Sequence, residues 1–182
     1  MNNSNSIASL AERSTYAVEL ADSLDGIDAV STTRLNELSI MLREVAAQLN
    51  GFPFIEQISG QTLEQRRKQV TELRAWCVQC SKDTDMLMEQ AADYYRSAVI
   101  GDKDAFETLE PEVQAQAQPK AYEAKQAFQT LKQLKDVITH MTSDLLDFNG
   151  QLDHAHLNSL PKQDVGSFAY EDNVPAPSDL SP

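Results

Sequence analysis

The two cysteines of this 182-residue chain, Cys77 and Cys80, stand three apart in the stretch RAWCVQCSKD. That spacing serves redox dithiols and structural zinc sites. A redox pair needs a helix N-terminus or neighbouring cations to lower the thiol pKa, and here both residues fall deep inside a helical pattern. A structural zinc needs four ligands, and the sequence offers no second CxxC and no CxxH. The three histidines, His140, His154 and His156, would have to fold back to complete a set. Buried free cysteine behaves as a small hydrophobe, so Cys77 and Cys80 read as core-packing residues. No metal or other cofactor is expected.

Other chemistry-bearing combinations are equally thin. Asp153, His154 and His156 could in principle ligate a transition metal, but short histidine tracts at a helix exit are usually exposed and idle. The chain lacks HExxH, a Glu-x-x-His pair, G-x-S-x-G, a P-loop and GxGxxG. The carboxylates follow the spacing of solvated helix faces. A protein without catalytic activity is therefore expected.

Charge narrows the partners. Twenty-eight acids oppose 15 Lys and Arg, a net charge of −13. Phosphate binding works through Lys and Arg that release counterions, so nucleic acid is excluded as a partner, and anionic membranes would repel the chain. The sequence has no apolar run of the ~20 residues a membrane span requires. It also lacks the basic start and apolar run of a Sec signal. A cytoplasmic home is the default. The uncharged start MNNSNSI resembles, in composition alone, the Ser/Asn-rich export signals of bacterial injection machines, which would mean export by a non-Sec route.

The elements that must position these residues are helices. Ile7, Leu10, Ala17, Ala21, Leu24, Leu35, Leu38, Leu42, Val45 and Leu49 share one 3-4 repeat, predicting a helix over 5–50. Ser14, Asp28 and Ser31 keep that phase without being apolar. A break at Gly26, with Ser31 or Thr32 capping a fresh helix, is the competing reading, and both stand. Asn50-Gly51 supplies a left-handed stop, with Pro53 close behind. Thr62 to Gln65 forms a T-x-x-Q capping box for a second helix, 62–100. Its apolar phase runs through Val70, Leu73, Cys77, Cys80, Thr84, Leu87, Ala91, Tyr94 and Ala98. A third helix, 119–150, carries Ala124, Ala127, Leu131, Leu134, Ile138, Met141, Leu145 and Phe148, and ends near Asn149-Gly150. Residues 51–61 and 101–118 are connectors.

The second and third patterns fit an antiparallel hairpin whose facing residue numbers sum to 218. Cys77 then meets Met141 and Cys80 meets Ile138. Charge selects this step of the heptad: Arg66, Arg67, Lys68 and Arg74 approach Asp144, Asp147 and Asp153, while Asp83, Asp85, Glu89 and Asp93 approach Lys125, Lys132 and Lys135. Pairing of two copies of 62–100 in an antiparallel homodimer would satisfy the same charges, at a higher entropic cost. Trp76, Met88, Phe128, Val137 and Leu146 widen the apolar face beyond a two-stranded seam, so the first segment must cover it. The expected fold is all-α: an elongated antiparallel helical bundle over 1–150 with coiled-coil-like packing, three long helices, or four if the first breaks near Gly26. Residues 151–182, rich in proline and acid, read as a mostly disordered tail. Phe168 and Tyr170, with Glu171 and Asp172, give that tail two rings that could dock on a partner.

Four roles follow. The first is an adaptor- or scaffold-type module that presents a rigid helical face and the acidic tail to a protein partner with a basic or grooved surface. The second is an exported toxin or effector component acting at a membrane, weakened by the absence of any segment apolar all round. The third is a metal-binding helical enzyme using His140, His154, His156 and the cysteines, against the expectation above. The fourth is an acidic inhibitor imitating nucleic acid.

Overall fold

A computed structural model of the chain describes residues 4–52 and 60–161, with side chains from residue 9 onward. Ile7, Pro53 and the tail residues Phe168, Tyr170, Glu171 and Asp172 lie outside the described side chains. The fold is all-α, with six helices among the described residues: α1 (Ser4–Asp22), α2 (Thr32–Asn50), α3 (Gly60–Ala98), α4 (Lys103–Glu107), α5 (Pro111–Ala117) and α6 (Pro119–Ser159).

The expected seam is present. Val70, Leu73, Cys77, Cys80, Thr84, Leu87 and Ala91 of α3 are buried against Ala127, Leu131, Leu134, Ile138, Met141, Leu145 and Phe148 of α6. Thr84, the one hydroxyl in the α3 stripe, donates to the Cys80 carbonyl at 2.7 Å, so its burial leaves no polar atom unpaired. Two ion pairs fix the register, Arg67–Asp153 and Lys135–Asp85. Each lands two residues from the facing partner that the sequence register assigns, so the heptad step is the one chosen by charge. Exposed pairs of this kind contribute only about 0–1 kcal/mol each, so they select alignment while the apolar stripe supplies stability.

The first segment is two helices. Gly26 sits at φ 77°, a left-handed conformation that only glycine adopts without strain. Ser31 caps α2, its side chain accepting from the Arg34 N–H at 3.5 Å. The continuous-helix reading of 5–50 therefore fails, because the break chemistry at Gly26 and Ser31 outweighs an unbroken apolar phase. The bundle has four long elements, each antiparallel to its neighbours: α1 on α2, α2 on α3, α3 on α6, and α6 back on α1. Asp22–Arg43, Gln48–Gln69 and Arg13–Asp144 mark the three contacts that the short helices make. Trp76, Met88, Phe128 and Val137 pack against the core as the widened face required, whereas Leu146 stays exposed.

Four boundaries differ from the sequence reading. Helix α3 already includes Gly60, so Thr62 lies inside the first turn and does not precede it as a cap. Gly51 has φ −91° and closes α2 through an ordinary turn, its N–H bonding the Gln48 carbonyl, with no left-handed residue. Helix α3 stops at Ala98, short of residue 100. Helix α6 continues through Gly150 to Ser159, because Leu152 is fully buried and Ala155 packs on the core, which outweighs the low helix propensity of one glycine. Near that end Phe52 meets Phe148 edge-on at 5.7 Å, with the Arg66 guanidinium 5.0 Å above the Phe52 ring.

These two glycines separate the account from its sequence-level rival. A Cβ added at Gly150 meets nothing within 4 Å, and the residue is helical, so Gly150→Ala should raise stability by about 0.5–1 kcal/mol. Gly26→Ala, with equal space but positive φ, should lower it by about 1–2 kcal/mol. Urea unfolding monitored by circular dichroism measures both, and a destabilised Gly150→Ala would mean that α6 ends where the sequence suggested.

Candidate functional site

Helices α1 and α2 have 19 residues each, whereas α3 has 39 and α6 has 41. At 1.5 Å per residue, the short pair covers about half of a hairpin roughly 60 Å long. The end where α3 stops and α6 starts is closed by smaller parts. Ala29 of connector 23–31 and Phe106 of α4 join Tyr95 of α3 and Ala121 and Ala124 of α6 in a second apolar cluster there, with Ile27, Tyr94, Ala98 and Val99 packed beside it. Tyr95, not the in-phase Tyr94, is the buried tyrosine. The clustered Phe106 lies 6.5 Å from its ring and draws it inward. Tyr94 is only partly covered.

Two glutamines organise this end. Gln114 is 2 % exposed; its amide nitrogen donates to the Phe106 carbonyl at 3.0 Å and to the Leu109 carbonyl at 2.9 Å. Its oxygen accepts from Lys125 Nζ at 3.3 Å. One side chain thus satisfies carbonyls released where α4 ends and ties them to α6. Gln118 occupies the joint between α5 and α6, with Pro119 at the first turn of α6, a position where the missing N–H costs nothing. Its oxygen accepts from the Ile100 N–H at 2.8 Å and its nitrogen donates to the Ile100 carbonyl at 3.1 Å. The backbone of Ile100 is held on both sides, yet the isoleucine side chain is 80 % exposed.

Beside it opens a largely apolar cleft of about 400 Å³, lined by Tyr94, Ala98, Ile100, Ala117, Pro119 and Ala121, with Gln118 and Lys120 among its polar members. A neighbouring cleft of about 350 Å³ carries Tyr95, Glu107, Lys125, Phe128 and Lys132. Charge at the clefts is mixed: Lys120 lines the first, and Glu107, Lys125 and Lys132 line the second. Nearby, Arg96 pairs with Asp93, Lys103 with Glu107, and Lys120 with Asp28 at 3.5 Å.

The residues singled out for chemistry lie elsewhere. Cys77 and Cys80 are fully buried, and burial pushes both thiols up to about 12, far from the reactive range. His140 Nδ1 sits 2.6 Å from the Asp136 carbonyl on its own helix. His154 Nδ1 is 3.3 Å from the Asn158 amide nitrogen, and His156 is half-buried near the other end of the bundle. Among the described residues, no group of three or more His, Cys, Asp or Glu is placed to hold a metal ion. No helix among them is long and apolar enough to cross a membrane. No protein family, curated protein or solved structure matches this chain.

Sequence reasoning missed Gln114, Gln118 and Ile100. The one available signal was Pro119 directly after Gln118, which marks a joint but not what the glutamine grips.

The buried hydroxyl and thiols predict alkaline sensitivity. Burial first, and the Glu107 hydrogen bond at 3.0 Å second, push the Tyr95 phenol up to about 12. Folded-state values above the unfolded ones favour the native state at neutral pH. That contribution is lost once pH rises past the ordinary thiol and phenol values, about 9 to 10, toward 12. Stability measured by urea titration should therefore fall steadily above pH 9. Tyr95→Phe should flatten the part of the slope above pH 10, and an unchanged slope would contradict the burial of this phenol.

Proposed function

We propose that this chain is a non-enzymatic protein-interaction module: a stiff helical rod whose acidic surface engages a protein partner bearing basic charge. The observation that carries the reading is the bundle end, where an apolar cleft lies beside a rigidly held, exposed isoleucine on a chain whose net charge is −13. Exposed apolar groups at a fixed position favour association, and surrounding charge of one sign favours partners of the other. The acidic tail, with Phe168, Tyr170, Glu171 and Asp172, supplies a second contact of the same electrostatic character. Production in a cytoplasm fits this reading.

The test is capture of partners from the native source at increasing salt, using the full chain and a chain ending at Leu160. Recovery of a defined partner that falls several-fold between about 50 and 300 mM salt is expected, since charge-steered complexes weaken with screening. Salt-independent recovery, or none, would overturn the electrostatic basis. Equal recovery by both chains would remove the tail from the account and leave the bundle.

A further inference from the structure

We infer that the cleft of Tyr95 and Phe128 is a binding site for a small organic anion with an apolar body, of the aromatic or fatty carboxylate class. The site is independent of the interaction reading above. The cleft measures about 350 Å³, within the roughly 300–1,000 Å³ of small-molecule sites. Ala92 and Tyr95 of α3 and Phe128 of α6 give it an apolar lining, and Glu107 of α4 contributes its one carboxylate.

Two lysines stand at this lining without a counter-ion. Lys125 and Lys132 are seven residues apart on α6, which puts them on one face with their backbones about 10 Å apart and Phe128 and Gln129 between them. Neither forms an ion pair among the described residues, whereas eight other cations of the chain do. Lys125 is half-buried, and its Nζ donates to the neutral Gln114 oxygen at 3.3 Å. A charge partly withdrawn from water is normally matched by an opposite one, so an ammonium left without a carboxylate here favours an anion from outside the chain.

The carboxylate in the lining is already engaged. Glu107 Oε1 accepts from the Tyr95 hydroxyl at 3.0 Å and lies 3.7 Å from Lys103 Nζ. Along the neighbouring turns Asp85 pairs with Lys135 and Asp93 with Arg96. Glu89 and Asp136 form no ion pair, but neither lines the cleft. The lining thus carries two uncompensated cations against one compensated carboxylate, on a chain whose net charge is −13. A ligand with a carboxylate on an apolar body meets both features: its ring or chain covers Ala92 and Phe128, and its charge reaches a lysine. Hydrogen bonds from Tyr95 to Glu107 and from Lys125 to Gln114 fix the walls beforehand, so little ordering remains to be lost on binding.

The probes are 2-naphthoate and decanoate, titrated into the full-length chain labelled with ¹⁵N. The neutral 2-naphthamide and the cationic 2-naphthylmethylammonium serve as counterparts of the first. Amide shifts should concentrate at residues 92–95, 107 and 125–132. Naphthoate should bind about tenfold more tightly than the amide, roughly the worth of one charge-assisted contact, and the ammonium should bind weakest. Lys132→Gln, at an exposed position, should leave the thermal midpoint unchanged, weaken naphthoate about tenfold and leave the amide unaffected. Lys132→Arg should restore the naphthoate. Lys82→Gln, which removes the same charge about 15 Å along α3 from Ala92, should change neither ligand. Binding of both carboxylates supports the shared chemistry, and binding of one alone supports the site and identifies its ligand as flat or flexible. Equal affinity for naphthoate and amide, an equal effect of Lys82→Gln and Lys132→Gln, or no shifts at these residues at millimolar probe would overturn it. Partner capture is read separately, so loss of this site leaves the interaction reading standing.

Discussion

Antiparallel packing of α3 on α6 is the contact on which every other part of the molecule depends. Two helices of 39 and 41 residues bury one continuous stripe each, and leucines fully removed from water contribute about 1.5–3 kcal/mol apiece. The 19-residue α1 and α2 would be marginal helices alone. They persist because the hairpin offers them a long apolar wall, and they in turn cover Trp76, Met88 and Val137. The same seam decides the chemistry. Thiols that could have been reactive at a helix start are sealed at mid-helix, where burial holds them protonated.

The inequality of helix lengths then generates the rest. Short helices leave one end of the long hairpin to be closed by a connector and two small helices, and irregular backbone there needs hydrogen-bond partners. Gln114 and Gln118 provide them. Closing an end this way produces grooves that a uniform four-helix bundle would lack.

The stripe and its partner were legible in the sequence because a 3-4 repeat is a direct image of a buried helix face, and because segregated charge discriminates between steps of seven. Glycine chemistry was harder to read. At Gly26 the chain needs positive φ and breaks, while at Gly150 the next turn has Leu152 to bury and the helix goes on. Gly26 is followed by the Ser31 cap that starts a new helix, whereas no such cap follows Gly150 before Leu152 is buried. Tyr94 and Tyr95 show the same limit: the heptad phase favoured the first, and Phe106, contributed by a different helix, selected the second. The site was less legible still. Glutamine is common on solvated helices, and its grip on a backbone eighteen residues away exists only after the end of the bundle has closed.

The most direct test of the seam is the rate at which Cys77 and Cys80 react with a thiol reagent such as dithionitrobenzoate in the native chain. If α3 and α6 zip together as described, both thiols react only as fast as the bundle unfolds, orders of magnitude below a free thiol, and accelerate in parallel through the urea transition. Immediate stoichiometric reaction of either cysteine in the undisturbed protein would place it outside the core, and the hairpin on which the fold rests would be wrong.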